Sequence, residues 1–240
     1  MATPTHQSTA TGRIALLDAA RSAAIAAMVL YHIVFDLEMF GWISRGTALS
    51  PLWRLLAICT ASSFLVIAGI SFSLGTAHGR GTGPFLKRWA QIAGGAALVS
   101  IGTYVILPDA FVFFGILHAI AAALLIGRFL VVLPVAVLTL MAALIISLPY
   151  WGKSQMFNAP IFWWTGLQTA PVTAVDYIPL APWLGAFVFG LAIGKSGLTE
   201  RLAWVQLPRW ATFPGRYSLS IYLLHQPILF AVLSGLRLLV

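Results

Sequence analysis

The chain has 240 residues, 60% of them hydrophobic and only 8% charged, and its mean hydropathy is +0.94. A soluble domain carries about a quarter of its residues as charges, so this chain could not cover its surface in water, and most of it has lipid as its solvent. Its net charge of +8 does not point to nucleic acid, because the bases cluster between apolar runs as in membrane loops; the single cysteine, Cys59, excludes an intrachain disulfide and a thiolate zinc site.

In chain order, residues 1–12 (MATPTHQSTATG) are polar and read as a disordered tail. Residues 13–240 read as one transmembrane domain. The first apolar run is too long for the apolar region of a signal peptide and lacks a convincing small-residue cleavage site, so it is expected to be a retained helix. Apolar runs at about 14–38, 52–75, 89–107, 111–127, 129–149, 178–194 and 217–236 predict an all-α, polytopic bundle of about seven spans. The stretch PIFWWTGLQTAP (160–171) is too short to span, and its Trp163 and Trp164 suit an interfacial belt or a re-entrant segment.

The bases predict orientation. With the N-terminus inside, Arg13, Arg80, Lys87, Arg88, Arg128, Lys195, Arg201, Arg209 and Arg216 fall inside, against Arg45, Arg54, Lys153 and Arg237 outside. That asymmetry favours N-in and C-out.

Ionisable residues within lipid are costly and are candidates for function. In LLDAARSAAIAAMVLYHIVFDLEMFGW (16–42), Asp18 to Arg21 is a three-residue step and His32 to Asp36 a four-residue step. Each pair can meet on one helix face, and Arg21 and His32 share that face to within about 20°. An ordinary structural ion pair is the alternative for Asp18–Arg21, and a plain buried histidine for His32. Asp36 is expected to orient the His32 imidazole. FGILHAI places His118 about two turns from the outer end of the fourth span. YSLSIYLLHQPI places His225 in the seventh, one turn after Tyr222 and just before Pro227, which should loosen the helix. Three histidines on three spans suggest one shared cavity, although each alone could equally bridge helices. No His-x-x-x-His or His/Glu helical pair favours a metal, and the last span has no lysine for a retinal Schiff base. The loop TAHGRGTGPFLKRW (76–89) could grip a phosphorylated cofactor through Arg80, Lys87 and Arg88, or serve only as a topology signal.

The ordered set LLDAARSAAIAAMVLYHIVFDL, FGILH, DYIPLAPWLG and GRYSLSIYLLHQPI resembles the heparan-α-glucosaminide N-acetyltransferase-type catalytic domain family, in a short bacterial branch. It is also similar to the acyltransferase-3 family and to wider transmembrane acyltransferases. The resemblance covers about 13–230. It implies transfer of an acetyl or other acyl group from cytosolic acetyl-CoA to a sugar amine or hydroxyl on the far side, in a multi-pass protein of the bacterial inner membrane. In acyltransferase-3 proteins an Arg is followed after ten residues by a His, and Arg21 and His32 match. The resemblance casts His32 as base, with basic residues near the inner loop, Arg88 and Lys87, assisting CoA.

There are departures: Arg21-Ser22 stands where the family usually has Arg-Gly, residues 39–55 lack the histidine that the lysosomal enzyme carries after its first helix, and the spans are fewer. The expected site is therefore His32, Asp36, His118, Tyr222 and His225 for chemistry, with Arg21, Lys87 and Arg88 for the cofactor. Tyr222, His225 or His118 would supply oxyanion donors. An acyl-His intermediate and direct transfer both stay open. The partners implied are membrane lipid, a CoA thioester and a glycan or other small acceptor, with no nucleic acid and no metal. Competing readings are a transporter that relays protons or binds an anion along the His/Asp/Arg stripe, and a non-catalytic membrane subunit held by buried polar pairs.

Overall fold

The computed structural model describes residues 14–79, 81–202 and 204–239. The tail at 1–12 and the predicted inner bases Arg13 and Arg80 lie outside the described residues.

Each apolar run becomes a helix. In order these are α1 (Ala15–Met39), α2 (Pro51–Ala77), α3 (Thr82–Ile106), α4 (Ile116–Leu130), α5 (Val135–Trp151), α6 (Leu180–Lys195), the short α7 (Leu198–Arg201) and α8 (Arg209–Arg216), and α9 (Ser218–Arg237). Among the described residues, α1, α2, α3 and α9 are long and apolar enough to cross a membrane. Helices α4, α5 and α6 have 15, 17 and 16 residues. At about 1.5 Å per residue they reach about 22–26 Å, short of a hydrocarbon core of about 30 Å. The tryptophan-rich stretch forms short 3-10 turns, Gln155–Asn158 and Pro160–Thr165, and does not span. Helix α9 runs on through Pro227; the proline's missing N–H deprives one carbonyl of its usual partner without ending the helix.

Two boundaries differ from the sequence reading in ways that move candidate residues. The fourth run was expected from 111, yet α4 starts at Ile116. Residues before it are tied to the chain ahead of α6 by Val175 N–H donating to Ala110 O and Ile178 N–H donating to Phe114 O, both at 2.9 Å. A segment whose backbone groups are spent this way cannot also be helical, so His118 falls in the first turn of α4 rather than two turns in. Likewise 82–89, expected as loop, is the opening of α3. Pro84 sits in its first turn, where a missing N–H is harmless.

The apolar core lies among α2, α4, α5 and α6, where Leu65, Leu138, Phe187, Val188 and Leu191 have no solvent exposure. Helices in lipid gain little from apolar burial against each other and rely on close packing. Accordingly α2 and α6 meet backbone to backbone: a Cβ on Gly190 would overlap Val66 O, and one on Gly69 would overlap Phe187 O. Helix α1 lies against α2, α8 and α9.

Gly190→Val should therefore force α6 off α2 and destabilise the protein by about 1–3 kcal/mol. Thermal unfolding in detergent checks this, and an unchanged midpoint would contradict the close approach.

Candidate functional site

The polar stripe of α1 is real and is held from the C-terminal helices. At the N-terminal end, Asp18 is buried, with 2% of its side chain exposed. It takes Arg21 Nη1 at 2.7 Å and lies 3.6 Å from Arg216 Nε. Arg21 also donates through Nη2 to Ser71 Oγ of α2. Ser22 donates to Asp18 O at 3.0 Å and accepts the Gly215 N–H at 2.8 Å. Gly215 is needed there, because a Cβ would overlap Asp18 O.

Next to this cluster opens a cavity of about 700 Å³. Arg21, Arg88, Arg128 and Arg216 line one end; Phe64, Ala68, Ile92 and Ile120 line its length; Ile116 and Tyr222 mark the other end. From Arg128 to Ile116 along α4 is about 18 Å at 1.5 Å per residue. Arg128 donates to Thr82 Oγ1 at 3.3 Å and lies over the Phe85 ring, 5.6 Å from its centroid. Lys87 is not among the lining residues. Because 82–89 is helical, Phe85 and Arg88 share a face three residues apart, while Lys87 points about 100° away. Of the expected cofactor residues, Arg21 and Arg88 line this cavity, together with Arg128 and Arg216, and Lys87 does not.

Beyond Tyr222, α1 and α9 bring two of the expected histidines together. The His32 and His225 rings meet edge to face at 4.7 Å, and the Tyr222 ring lies 5.6 Å from that of His225. His32 Nδ1 is 2.9 Å from Met28 O and His225 Nδ1 is 2.6 Å from Tyr222 O. Carbonyls only accept, so each Nδ1 carries the hydrogen and each Nε2, in the neutral ring, keeps a lone pair. The expected orientation of His32 by Asp36 does not occur. Gln226 Nε2 of α9 donates to Asp36 Oδ1 at 2.7 Å instead, and the His32 ring turns to the carbonyl one turn back. Asp36 has no solvent exposure. Its Oδ2, Gln226 Oε1 and His225 Nε2 are buried without a hydrogen-bond partner among the described residues.

The third histidine has a different task. His118 Nδ1 accepts the Gly115 N–H at 3.2 Å, the reciprocal contact of a helix cap. Nε2, left with the hydrogen, faces Ser100 Oγ at 3.1 Å, and Ser100 donates to Val112 O at 2.5 Å. Both ring nitrogens are occupied in holding the start of α4, and no N–H is left for an oxyanion. None of the three histidines lines the 700 Å³ cavity.

Asp176 was absent from the expected site, although it opens the DYIPLAPWLG stretch. It sits before α6, its Oδ2 accepting the Ile116 N–H at 3.1 Å and lying 3.5 Å from the Tyr222 hydroxyl at the cavity's end. Burial pushes its carboxyl above the ordinary value of 3.8, with the Ile116 N–H and Tyr222 O–H opposing. Gln226, Ser71, Arg128 and Arg216 were also missed as site residues. Among the described residues no group of three or more His, Cys, Asp or Glu could hold a metal ion.

Residues 13–227 match the family model described as heparan-alpha-glucosaminide N-acetyltransferase, catalytic. Neither the curated proteins nor the solved structures contain a match.

Gln226→Leu should leave the buried Asp36 carboxylate without its donor and cost about 1–3 kcal/mol. The double change Asp36→Leu with Gln226→Leu should recover most of that loss, because removing both partners leaves nothing unsatisfied. Thermal unfolding of the three variants in detergent decides it; additive losses would mean the pair is not coupled. A raised folded-state pKa for Asp176 favours the neutral acid, so its contribution to stability is complete below about 3.8 and fades as pH rises through the folded value. Asp176→Asn should flatten that part of the stability-versus-pH curve, and an identical slope in both proteins would refute the burial argument.

Proposed function

The chain belongs to the heparan-alpha-glucosaminide N-acetyltransferase catalytic family, and from that premise we propose a membrane acyltransferase. It takes an acyl group from CoA on the cytosolic side and passes it to an amine or hydroxyl on the other side. One observation carries this reading: a single cavity has four arginines at one end and Tyr222, neighbour of the histidine pair, at the other. We further propose that α1 to α6 and α9 all cross the bacterial inner membrane, N-terminus inside and C-terminus outside, with α4, α5 and α6, short as helices, crossing together with the loop residues at their ends. The Lys/Arg asymmetry supports this, as does the gathering of Arg21, Arg88, Arg128 and Arg216 at one end.

The residues fit an acyl-CoA donor. Several guanidiniums suit phosphates, which they bind in charge-assisted pairs, and the apolar length suits an arm that must leave water. When bound, acetyl-CoA would supply a thioester carbonyl. Arg21 and Arg88 hold the phosphates at the mouth. Tyr222 turns its O–H from Asp176 toward the carbonyl oxygen as charge develops there. His32 or His225 takes the acceptor's N–H or O–H proton on Nε2 as that atom attacks the carbonyl. The same imidazolium returns the proton to the departing thiolate, so the products are the acylated acceptor and free CoA.

Fixing Nδ1–H to Met28 O and Tyr222 O keeps both Nε2 atoms in the accepting form. This replaces the aspartate-oriented base with a carbonyl-oriented pair. Asp36 is left to bind donor groups of the acceptor beside it.

CoA release from acetyl-CoA with a panel of amino and hydroxyl sugars, on protein in detergent, tests the reading. His32→Ala and His225→Ala should each lower turnover at least about 100-fold with acetyl-CoA binding kept. Arg21→Ala and Arg88→Ala should weaken acetyl-CoA binding at least about tenfold. Full turnover in His32→Ala would remove it as base, and unchanged binding in both arginine variants would remove the cofactor route.

A further inference from the structure

A second cavity, of about 590 Å³, opens at the opposite end of α1, between the first turns of α2 and the loop before α6. Its inner wall is aromatic, built by Tyr31, Tyr177 and Trp183. Leu49 and Ile58, exposed by 74% and 43%, form its lip. Apolar side chains exposed at the start of a membrane-length helix face lipid, so the cavity opens toward the bilayer rather than toward water.

One charged residue lines it. Arg54 has no side-chain hydrogen bond or ion pair among the described residues, and it lies one turn from Ile58 on the same face of α2.

The walls are fixed by hydrogen bonds. The Glu38 carboxylate accepts the N–H groups of Gly46 and Ala48 at 2.6 and 2.7 Å, which pins the α1–α2 loop. On the other side the Tyr177 hydroxyl accepts from Gln168 Nε2 at 2.7 Å and donates to Trp163 O at 2.6 Å. The back wall touches the reacting region, since the Tyr31 ring stands edge-on to His32 at 5.7 Å.

We propose that this cavity binds the acyl acceptor and that the acceptor is an anionic amphiphile: a membrane lipid whose phosphate carries a hydroxyl-bearing head. This rests on the acyltransferase reading above and narrows its acceptor. A water-soluble glycan would place part of its hydroxyls against Leu49, Ala57, Ile58, Val172 and Ile178, at a cost in free energy. A hydrocarbon chain meets no such penalty. Arg54 supplies the charge complement for one phosphate. Tyr31 stands against His32, whose ring meets that of His225, so a head group reaching past Tyr31 would approach His225 Nε2, a buried acceptor without a donor among the described residues. A hydroxyl hydrogen would satisfy it.

The test uses the full chain in nanodiscs of zwitterionic lipid, with radiolabelled farnesyl phosphate as probe and farnesol and inorganic phosphate as competitors. Farnesyl phosphate should bind, and each competitor should be at least about tenfold weaker. Arg54→Gln should weaken the probe at least about tenfold, and Ala57→Trp, which fills the cavity, should abolish binding. Thermal unfolding identifies a variant that misfolds, in which case the other decides. Equal binding of farnesol would mean ordinary lipid fills the space, and equal binding of inorganic phosphate would mean the walls play no part. Either result, or unchanged binding in both variants, overturns the proposal. Acetyl-CoA binding is read on the same samples. Intact acetyl-CoA binding without probe binding overturns the acceptor cavity alone. Probe binding without acetyl-CoA binding supports the amphiphile site and overturns the acyltransferase reading instead.

Discussion

The structure depends on how α1 disposes of ionised side chains in a solvent that cannot hydrate them. Asp18 and Asp36 lie about five turns apart, which returns them to the same azimuth some ~27 Å along the axis, and both are fully buried. Each is met from the C-terminal part of the chain, Asp18 by Arg216 and Asp36 by Gln226. In lipid an unmet carboxylate is far costlier than at a water-exposed surface. These contacts therefore fix where α1 stands against α8 and α9. The cavity takes walls from α1, α2, α3, α4 and α9, so its shape follows from the same constraint.

The two ends of the stripe are unequal. Among the described residues, cations exceed anions at the Asp18 end, because one carboxylate faces two guanidiniums and Arg88 and Arg128 line the same space. At the Asp36 end acceptors exceed donors, since one amide N–H serves a carboxylate and three buried acceptor atoms have no partner. A helix polarised this way suits phosphate at one end and hydroxyl or amine hydrogens at the other, as the proposed function requires.

The helices were legible because apolar run length reports them directly, and so was the Asp18–Arg21 pair, whose three-residue step is a local rule. The loss of the His32–Asp36 pairing was not legible. The competitor, Gln226, is remote in sequence, and local spacing cannot reveal a partner that tertiary packing brings in. Arg128, Arg216 and Asp176 escaped for the same reason, each being ordinary in its own segment. The choice between Lys87 and Arg88 needed only one further inference, that 82–89 is helical, and Pro84 obscured it. His118 shows the opposite case: its apolar run left both chemistry and helix bridging open, and the extended segment before it gives it a capping contact.

Ser22 shows how one side chain can tie α1 to α8. Its hydroxyl bridges Asp18 O and the Gly215 N–H, and Gly215 is buried. A glycine at position 22 would leave that N–H without this partner, in a setting where a lost backbone bond is costly. Gly215 in turn has no Cβ to hold α8 away from Asp18 O, and the next residue is Arg216. Serine on α1 and glycine on α8 thus form a matched pair whose consequence is electrostatic: they seat a second guanidinium beside Asp18. With one cation the carboxylate would be neutralised and the mouth of the cavity no more basic than Arg88 and Arg128 make it. With both, the described residues set two guanidiniums beside one carboxylate, next to the space where phosphates are proposed to bind.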